Sequence, residues 1–332
     1  MERTRRKLIT AAVAVIVAAL ACVTIWRMLP CSANTMRRTA AIVEYTTWEE
    51  IAVDGKPLLF FDHAEGDTAV IGVTTSRDSA LHRHYSTGCW VNRLPLIPSC
   101  GGRLASVISV WQNSLKGIAD TPLLSLCDAA VRRELKAMGN QKSELDYYMR
   151  VHGVQDMGYQ QIAALSAKVN AEYAAVEKAR HIIDSLSAGK HSITVRLKTE
   201  YVAVSRNDEG KLIRTPLQLL SFDRTTGIAL LRTADNATPD GACAADLLPW
   251  NAGGEKALRA VGFPGIGESG LECDSVSPLI TPGQSLRGGR HDLPQMLAGD
   301  GTPVFSAKGR FLGIVCGDSL KGRHSLSKLL FK

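Results

Sequence analysis

The chain has 332 residues, 45% of them apolar, which is room for one large domain or two with appendages and enough apolar surface to bury a core. Lys and Arg number 39 against 32 Asp and Glu, a formal charge of +7, but Arg3, Arg5, Arg6, Lys7, Arg27, Arg37 and Arg38 set against Glu2 place six of those seven charges within residues 1–38. The remainder is nearly neutral and has no basic stripe interleaved with aromatics, so a nucleic-acid partner is excluded.

In chain order the first predicted element is the uncharged stretch 8–26, Leu-Ile-Thr-Ala-Ala-Val-Ala-Val-Ile-Val-Ala-Ala-Leu-Ala-Cys-Val-Thr-Ile-Trp, which follows the basic cluster. Its length matches a span of roughly 20 residues, and Trp26 and Arg27 mark an interface. Residues 1–29 are therefore expected to be a single-pass membrane anchor with a cytoplasmic N-terminus and a periplasmic or extracellular body. The alternative is a lipoprotein signal ending at Cys22, against which stands the apolar Val-Thr-Ile-Trp that follows. The eight cysteines show no Cys-x-x-Cys spacing and no Cys/His cluster, so neither a metal nor another cofactor is expected. Cys89 and Cys100 are the pair closest in sequence; buried free thiols are the alternative to a disulfide.

From Thr39 to Val91 short strand-like runs, Ala41-Ile-Val-Glu-Tyr, Pro57-Leu-Leu-Phe-Phe and Thr68-Ala-Val-Ile-Gly-Val, alternate with Asp-Gly and Gly-Asp turn signals, as at the start of a β-barrel. Residues 104–190 change character. Thr121-Pro122 opens a helix that Gly139 is expected to end. In a second helix Ile162, Leu165, Val169, Val176, Ala179, Ile183 and Leu186 fit the two core positions of a heptad, with Glu172 the misfit. The expectation is a helical hairpin resembling a short coiled coil, either packed on its own domain or serving as a partner-binding arm.

Strands return at His191, in Ser192-Ile-Thr-Val-Arg-Leu, Glu200-Tyr-Val-Ala-Val and the run from Leu217 through Asp223-Arg-Thr-Thr-Gly-Ile-Ala-Leu-Leu231. After Ala260-Val-Gly-Phe-Pro-Gly265 comes Ala298-Gly-Asp-Gly-Thr-Pro-Val-Phe-Ser306, followed by a turn and a strand ending in Gly313-Ile-Val315. Gly299 and Gly301 flank Asp300, which allows a sharp turn whose amides, with that of Ala298, are expected to face a pocket and to be met by the Asp300 carboxylate.

Four of these stretches resemble trypsin-like serine proteases, the HtrA-like branch in particular. Ser86-Thr-Gly-Cys-Trp-Val is similar to the Gly-Ser-Gly-Phe-Val-Val strand that leads to Ile-Leu-Thr-Asn-Ala-His. Asp223-Arg-Thr-Thr-Gly-Ile-Ala-Leu-Leu resembles Asp-Pro-x-x-Asp-Leu-Ala-Leu-Leu. The run 260–265 resembles the strand opening the second barrel, and 298–315 resembles Gly-Asn/Asp-Ser-Gly-Gly-Pro-Leu-Phe with its following Gly-Ile-Val. The resemblance implies a mostly β, two-barrel fold: residues 38–103 the first part of barrel 1, 104–190 a helical insertion, 191–240 the rest of barrel 1 and 241–332 barrel 2, with no PDZ-like region after it. It also implies that the triad-equivalent positions are Cys100, Gly227 and Asp300, and that Ala298, Gly299, Asp300 and Gly301 form the loop of the oxyanion hole. None of the three triad positions holds the side chain the chemistry needs, and Thr302 adds bulk. The implied role is a membrane-anchored pseudoprotease that binds a protein or peptide partner in the cell envelope. The alternatives are an active endopeptidase with a relocated or misaligned site, drawing on Ser285 with His82 or His84, and a structural anchor presenting the helices.

Overall fold

The computed structural model describes residues 12–22, 31–65, 69–91, 101–109, 120–186, 193–207, 209–247, 256–266 and 277–330. Helix α1 (12–22) lies within the uncharged N-terminal stretch. Among the described residues no helix is long and apolar enough to cross a membrane; residues 8–11 and 23–26 of the expected span lie outside them. Helix α2 (Ala33–Thr39) is capped by Ser32, whose side chain accepts the Thr35 amide, the usual remedy for an unsatisfied first-turn N–H. Just ahead of it the Cys31 amide donates to the Gly309 carbonyl at 3.1 Å, and a Cβ on Gly309 would lie 2.4 Å from the Cys31 carbonyl oxygen.

Strands β1 (Ala40–Val53), β2 (Lys56–Phe61), β3 (His63–Glu65), β4 (Ala69–Ile71), β5 (His82–Val91), β6 (Arg103–Val107), β7 (Ile193–Arg206), β8 (Leu212–Asp223) and β9 (Ile228–Thr233) follow. Six of them form a closed ring, β1-β5-β6-β9-β8-β7, with β7 pairing back onto β1 and β2 added outside. Strand side chains alternate between faces, and here the alternation sorts the apolar residues into two groups. Ala41, Val43, Trp90, Leu104, Ala203 and Leu231 make one cluster. Their neighbours of the other parity, Ile42, Cys89, Ala105, Val204 and Leu230, join a second that includes Val261, Phe305 and Ile314.

Those last residues belong to an antiparallel sheet ordered β11 (Leu279–Gln284), β10 (Ala257–Gly262), β12 (Pro303–Ser306), β13 (Phe311–Cys316) and β14 (Ser319–Gly322), followed by helix α5 (Arg323–Leu330). Where the sequence leads to a second barrel, the described residues therefore form a five-stranded sheet.

The chain divides into two compact units, one of residues 1–45, 84–110 and 200–332, the other of 46–83 and 111–199. The second unit contains the helical hairpin, α3 (Asp120–Val151) and α4 (Tyr159–Leu186). Two expectations are corrected here. Strand β6 falls inside the stretch assigned from residue 104 to the insertion, because Leu104, Ala105 and Ser106 pair with both β5 and β9. Helix α3 runs through Gly139 instead of stopping there: an interior glycine costs about 1 kcal/mol, which the packing of a 32-residue helix outweighs.

The hairpin is not a free-standing coiled coil along its length. Leu123, Cys127, Val131, Val176, Ala179 and Ile183 share one apolar cluster with Ile51, Leu59, Phe61 and Val70. Leu165, nearer the tip, is 41% exposed. Glu172 breaks the heptad because its Oε1 accepts from Thr74 Oγ1 at 2.7 Å, from the Thr75 amide at 3.1 Å and from Thr75 Oγ1 at 3.3 Å.

Candidate functional site

The loop at Asp300 is built by backbone bonds that take up the amides of Ala298 and Gly301, two of those expected to be open. The Ala298 amide donates to the Pro294 carbonyl at 2.9 Å, and the Gly301 amide to the Val315 carbonyl at 2.9 Å. The Thr302 amide turns back onto Gly299 at 3.2 Å. Ala298 is buried, and a buried N–H must find a partner; here it finds one inside the fold. Gly301 has φ 81°, and a Cβ there would sit 1.9 Å from the Thr87 carbonyl oxygen, so glycine is required at this point of close approach. The Asp300 side chain is exposed and does not fold back on its own loop. Its Oδ1 accepts the Gly317 amide at 2.7 Å, at the end of β13.

A second turn lies close by. Asp223 holds it by accepting the Thr225 amide at 3.0 Å and Thr226 Oγ1 at 2.8 Å, and the Gly227 amide closes it on the Asp223 carbonyl at 2.8 Å. Gly227 has φ 72°, and its carbonyl accepts the Ile108 amide at 2.9 Å. Cys316 joins the two turns, donating from Sγ to the Thr226 carbonyl at 3.1 Å. Burial pushes its thiol above the ordinary range, and the carboxylates of Asp300 and Asp223 push it further, so it acts as a neutral donor.

Cys100 lies outside the described residues, but the hairpin that follows β5 is fixed by its register: Gly88 faces Ser106, Cys89 faces Ala105 and Trp90 faces Leu104. Beyond β6 come Ile108, bonded to Gly227, and Ser109, whose amide donates to Tyr45 Oη at 3.4 Å. Ser106 Oγ donates to the Thr87 carbonyl at 2.7 Å, the same oxygen that Gly301 approaches. Ser109, the Gly227 turn and the Asp300 loop thus belong to one neighbourhood of the first unit. Sequence reasoning missed Ser109 and Cys316. The readable signal for Ser109 was Gly101-Gly102 as a hairpin turn, with the apolar run after it as the returning strand.

Of the remaining candidates His84 reaches this neighbourhood, through the same Tyr45 whose Oη accepts the Ser109 amide. His84 stacks on Tyr45 with ring centroids 5.2 Å apart. His82 Nε2 meets Asp62, at 2.9 Å from its carbonyl and 3.2 Å from Oδ1. Ser285 forms a β-bridge with His291. The Leu293 amide donates to His291 Nδ1 at 3.3 Å, which places the ring proton on Nε2 and leaves that nitrogen no lone pair with which to take a hydroxyl proton. Cys89 is a buried free thiol raised by desolvation. Among the described residues no group of His, Cys, Asp and Glu could hold a metal ion. The neighbourhood can therefore accept and donate hydrogen bonds.

No family model matches the chain, and no curated protein matches it. Solved structures similar to it include the two that follow. That of Deg5 shares 9% identity over 85% of each chain with a TM-score of 0.36. That of the MamO protease domain from Magnetospirillum magneticum, in its apo form, shares 18% identity over 37% of this chain and 69% of the other, with a TM-score of 0.25.

Proposed function

We propose that the chain is a trypsin-like pseudoprotease of the HtrA-like kind, anchored in the membrane by residues 8–26 and acting in the cell envelope by binding a protein or peptide. Two features support the trypsin-like reading. The four motif-like stretches occur in order, and three of them lie in the one neighbourhood just described. Because β6 is the strand that pairs with β5, we read Leu104-Ala105-Ser106-Val107-Ile108-Ser109 as the counterpart of Ile-Leu-Thr-Asn-Ala-His, which puts Ser109 in place of Cys100 at the position of the family's histidine in this reading.

The observation that carries the non-catalytic reading is the Asp300 carboxylate on the Gly317 amide while the Ala298 amide is spent on Pro294. A carboxylate at the nucleophile's position cannot attack an amide without an activating partner, and an oxyanion hole works only when its donors are aimed before charge develops. Ser109 and Gly227 supply neither base nor orienter. Loss of the central pair alone typically costs about a millionfold in rate.

The test uses cells making the full chain with a C-terminal reporter that is active only outside the cytoplasm, their membranes then treated with a serine-directed fluorophosphonate. Reporter activity in the membrane fraction is expected, with no labelling of the parent or of Asp300→Ser. A silent reporter would remove the envelope assignment. Labelling of the parent that Ser285→Ala abolishes would establish a relocated catalytic site instead.

A further inference from the structure

The described chain enters the folded part of the first unit at Cys31, whose amide donates to the Gly309 carbonyl at 3.1 Å, in the turn between β12 and β13. The join is close on both sides. A Cβ on Gly309 would lie 2.4 Å from the Cys31 carbonyl oxygen and 3.1 Å from Met36 Cε, so the turn, Cys31 and α2 make one packed corner. Cations stand around it. Lys308 and Arg310 flank Gly309, and Arg37 follows Met36 in α2; Lys308 and Arg37 are exposed and Arg310 is half-buried. Among the described residues no ion pair engages any of these three. Burial holds the nearby Arg323 below the ordinary guanidinium range, the Asp246 carboxylate offsets part of that, and the charge of Arg310 adds to it. Arg310 therefore has a second cation for a neighbour, and Asp246 is engaged with that second cation.

We propose that this corner docks on the anionic phospholipid headgroups of the bilayer that residues 8–26 enter. The inference rests on the anchor reading given above and not on the reading of the loop at Asp300. Because the anchored stretch leads into the body at this corner, Arg37, Lys308 and Arg310 surround the point at which the anchor holds the first unit, and that linkage turns their meeting with lipid into an event within one molecule. A cation within a Debye length of an anionic surface, roughly 8 Å, favours contact about fivefold, so three together outweigh what any one supplies. Spread over two adjoining segments, they suit a plane of many phosphates.

The experiment is hydrogen exchange, read by mass spectrometry, on the full chain reconstituted in vesicles of phosphatidylcholine alone and of phosphatidylcholine mixed with phosphatidylglycerol. The 306–310 turn and α2 are expected to exchange about threefold or more slowly in the anionic vesicles, and high salt should abolish the difference on the parent protein. Combined Arg37→Gln, Lys308→Gln and Arg310→Gln should abolish it too, with circular dichroism checking that the variant folds. Inorganic phosphate or polyglutamate added to the neutral vesicles should change nothing. Protection by either as strong as that by lipid would make this a site for a soluble anion or an acidic chain and overturn the proposal, as would equal slowing of the hairpin tip 147–160, a general effect of the charged surface. Alkaline carbonate extraction of the same vesicles separates the two readings. A chain that resists extraction but exchanges alike in both vesicles keeps its anchor and refutes the docking face. One that is extracted yet protected by anionic vesicles loses the anchor and keeps the face, and one that is extracted and unprotected overturns both.

Discussion

With its carboxylate on the Gly317 amide, Asp300 stands beside Cys316, whose thiol is pushed up from 9.0, first by burial and then by that carboxylate. The sign follows directly. A raised thiol pKa means the protonated form persists through neutral pH, and the thiolate that reacts with iodoacetamide becomes the major form only at a higher pH than for an ordinary thiol. Asp300→Asn removes the neighbouring charge and should move the alkylation midpoint of Cys316 to lower pH, read by peptide mass spectrometry. An unmoved midpoint would mean the thiol does not sense the carboxylate. Asp300 and Gly227 were legible in the sequence because a glycine-flanked aspartate and the spacing Asp223 to Gly227 are local. Ser109 and Cys316 were not, since one depends on which residues of a hairpin face each other and the other on two turns far apart in the chain meeting.

At the scale of elements, the hairpin shows what periodicity captures and what it omits. The positions Val169, Val176, Ala179, Ile183 and Leu186 are all buried, as their spacing predicts. Periodicity could not say that their partners include β2 and β4, nor that Gly139 would be carried through. Glu172 is the clearest case, a residue that looks like an error in the pattern and is a polar anchor for the Thr74-Thr75 segment. Glu172→Leu would perfect the heptad, yet it strips three bonds from a partly buried site and leaves the Thr75 amide without this acceptor. It should destabilise the protein by about 1.5–3 kcal/mol, the range for hydrogen bonds to a charged group, measured by chemical denaturation. A neutral or stabilising result would show that the loop bonds to water equally well.

For the whole molecule, a hairpin that served only as a partner-binding arm could be removed without harm. The shared cluster of α3, α4, β2 and β4 predicts otherwise for the second unit. Replacing residues 110–192 with a Gly/Ser linker should uncover Ile51, Leu59, Phe61 and Val70, produce dye-binding apolar surface and abolish cooperative unfolding of that unit. Replacing only residues 147–160 by a short turn should be tolerated, because Tyr147, Val151, Val154 and Met157 at the tip are exposed. Equal behaviour of the two deletions would refute the shared core. At this scale the clasp between Cys31 and Gly309 sets a distance. With the stretch 8–26 embedded as proposed, five residue steps separate Trp26 from Cys31, a reach of roughly 17 Å at about 3.5 Å per step. Under that proposal the first unit is tethered at Cys31 on a leash no longer than this above the bilayer.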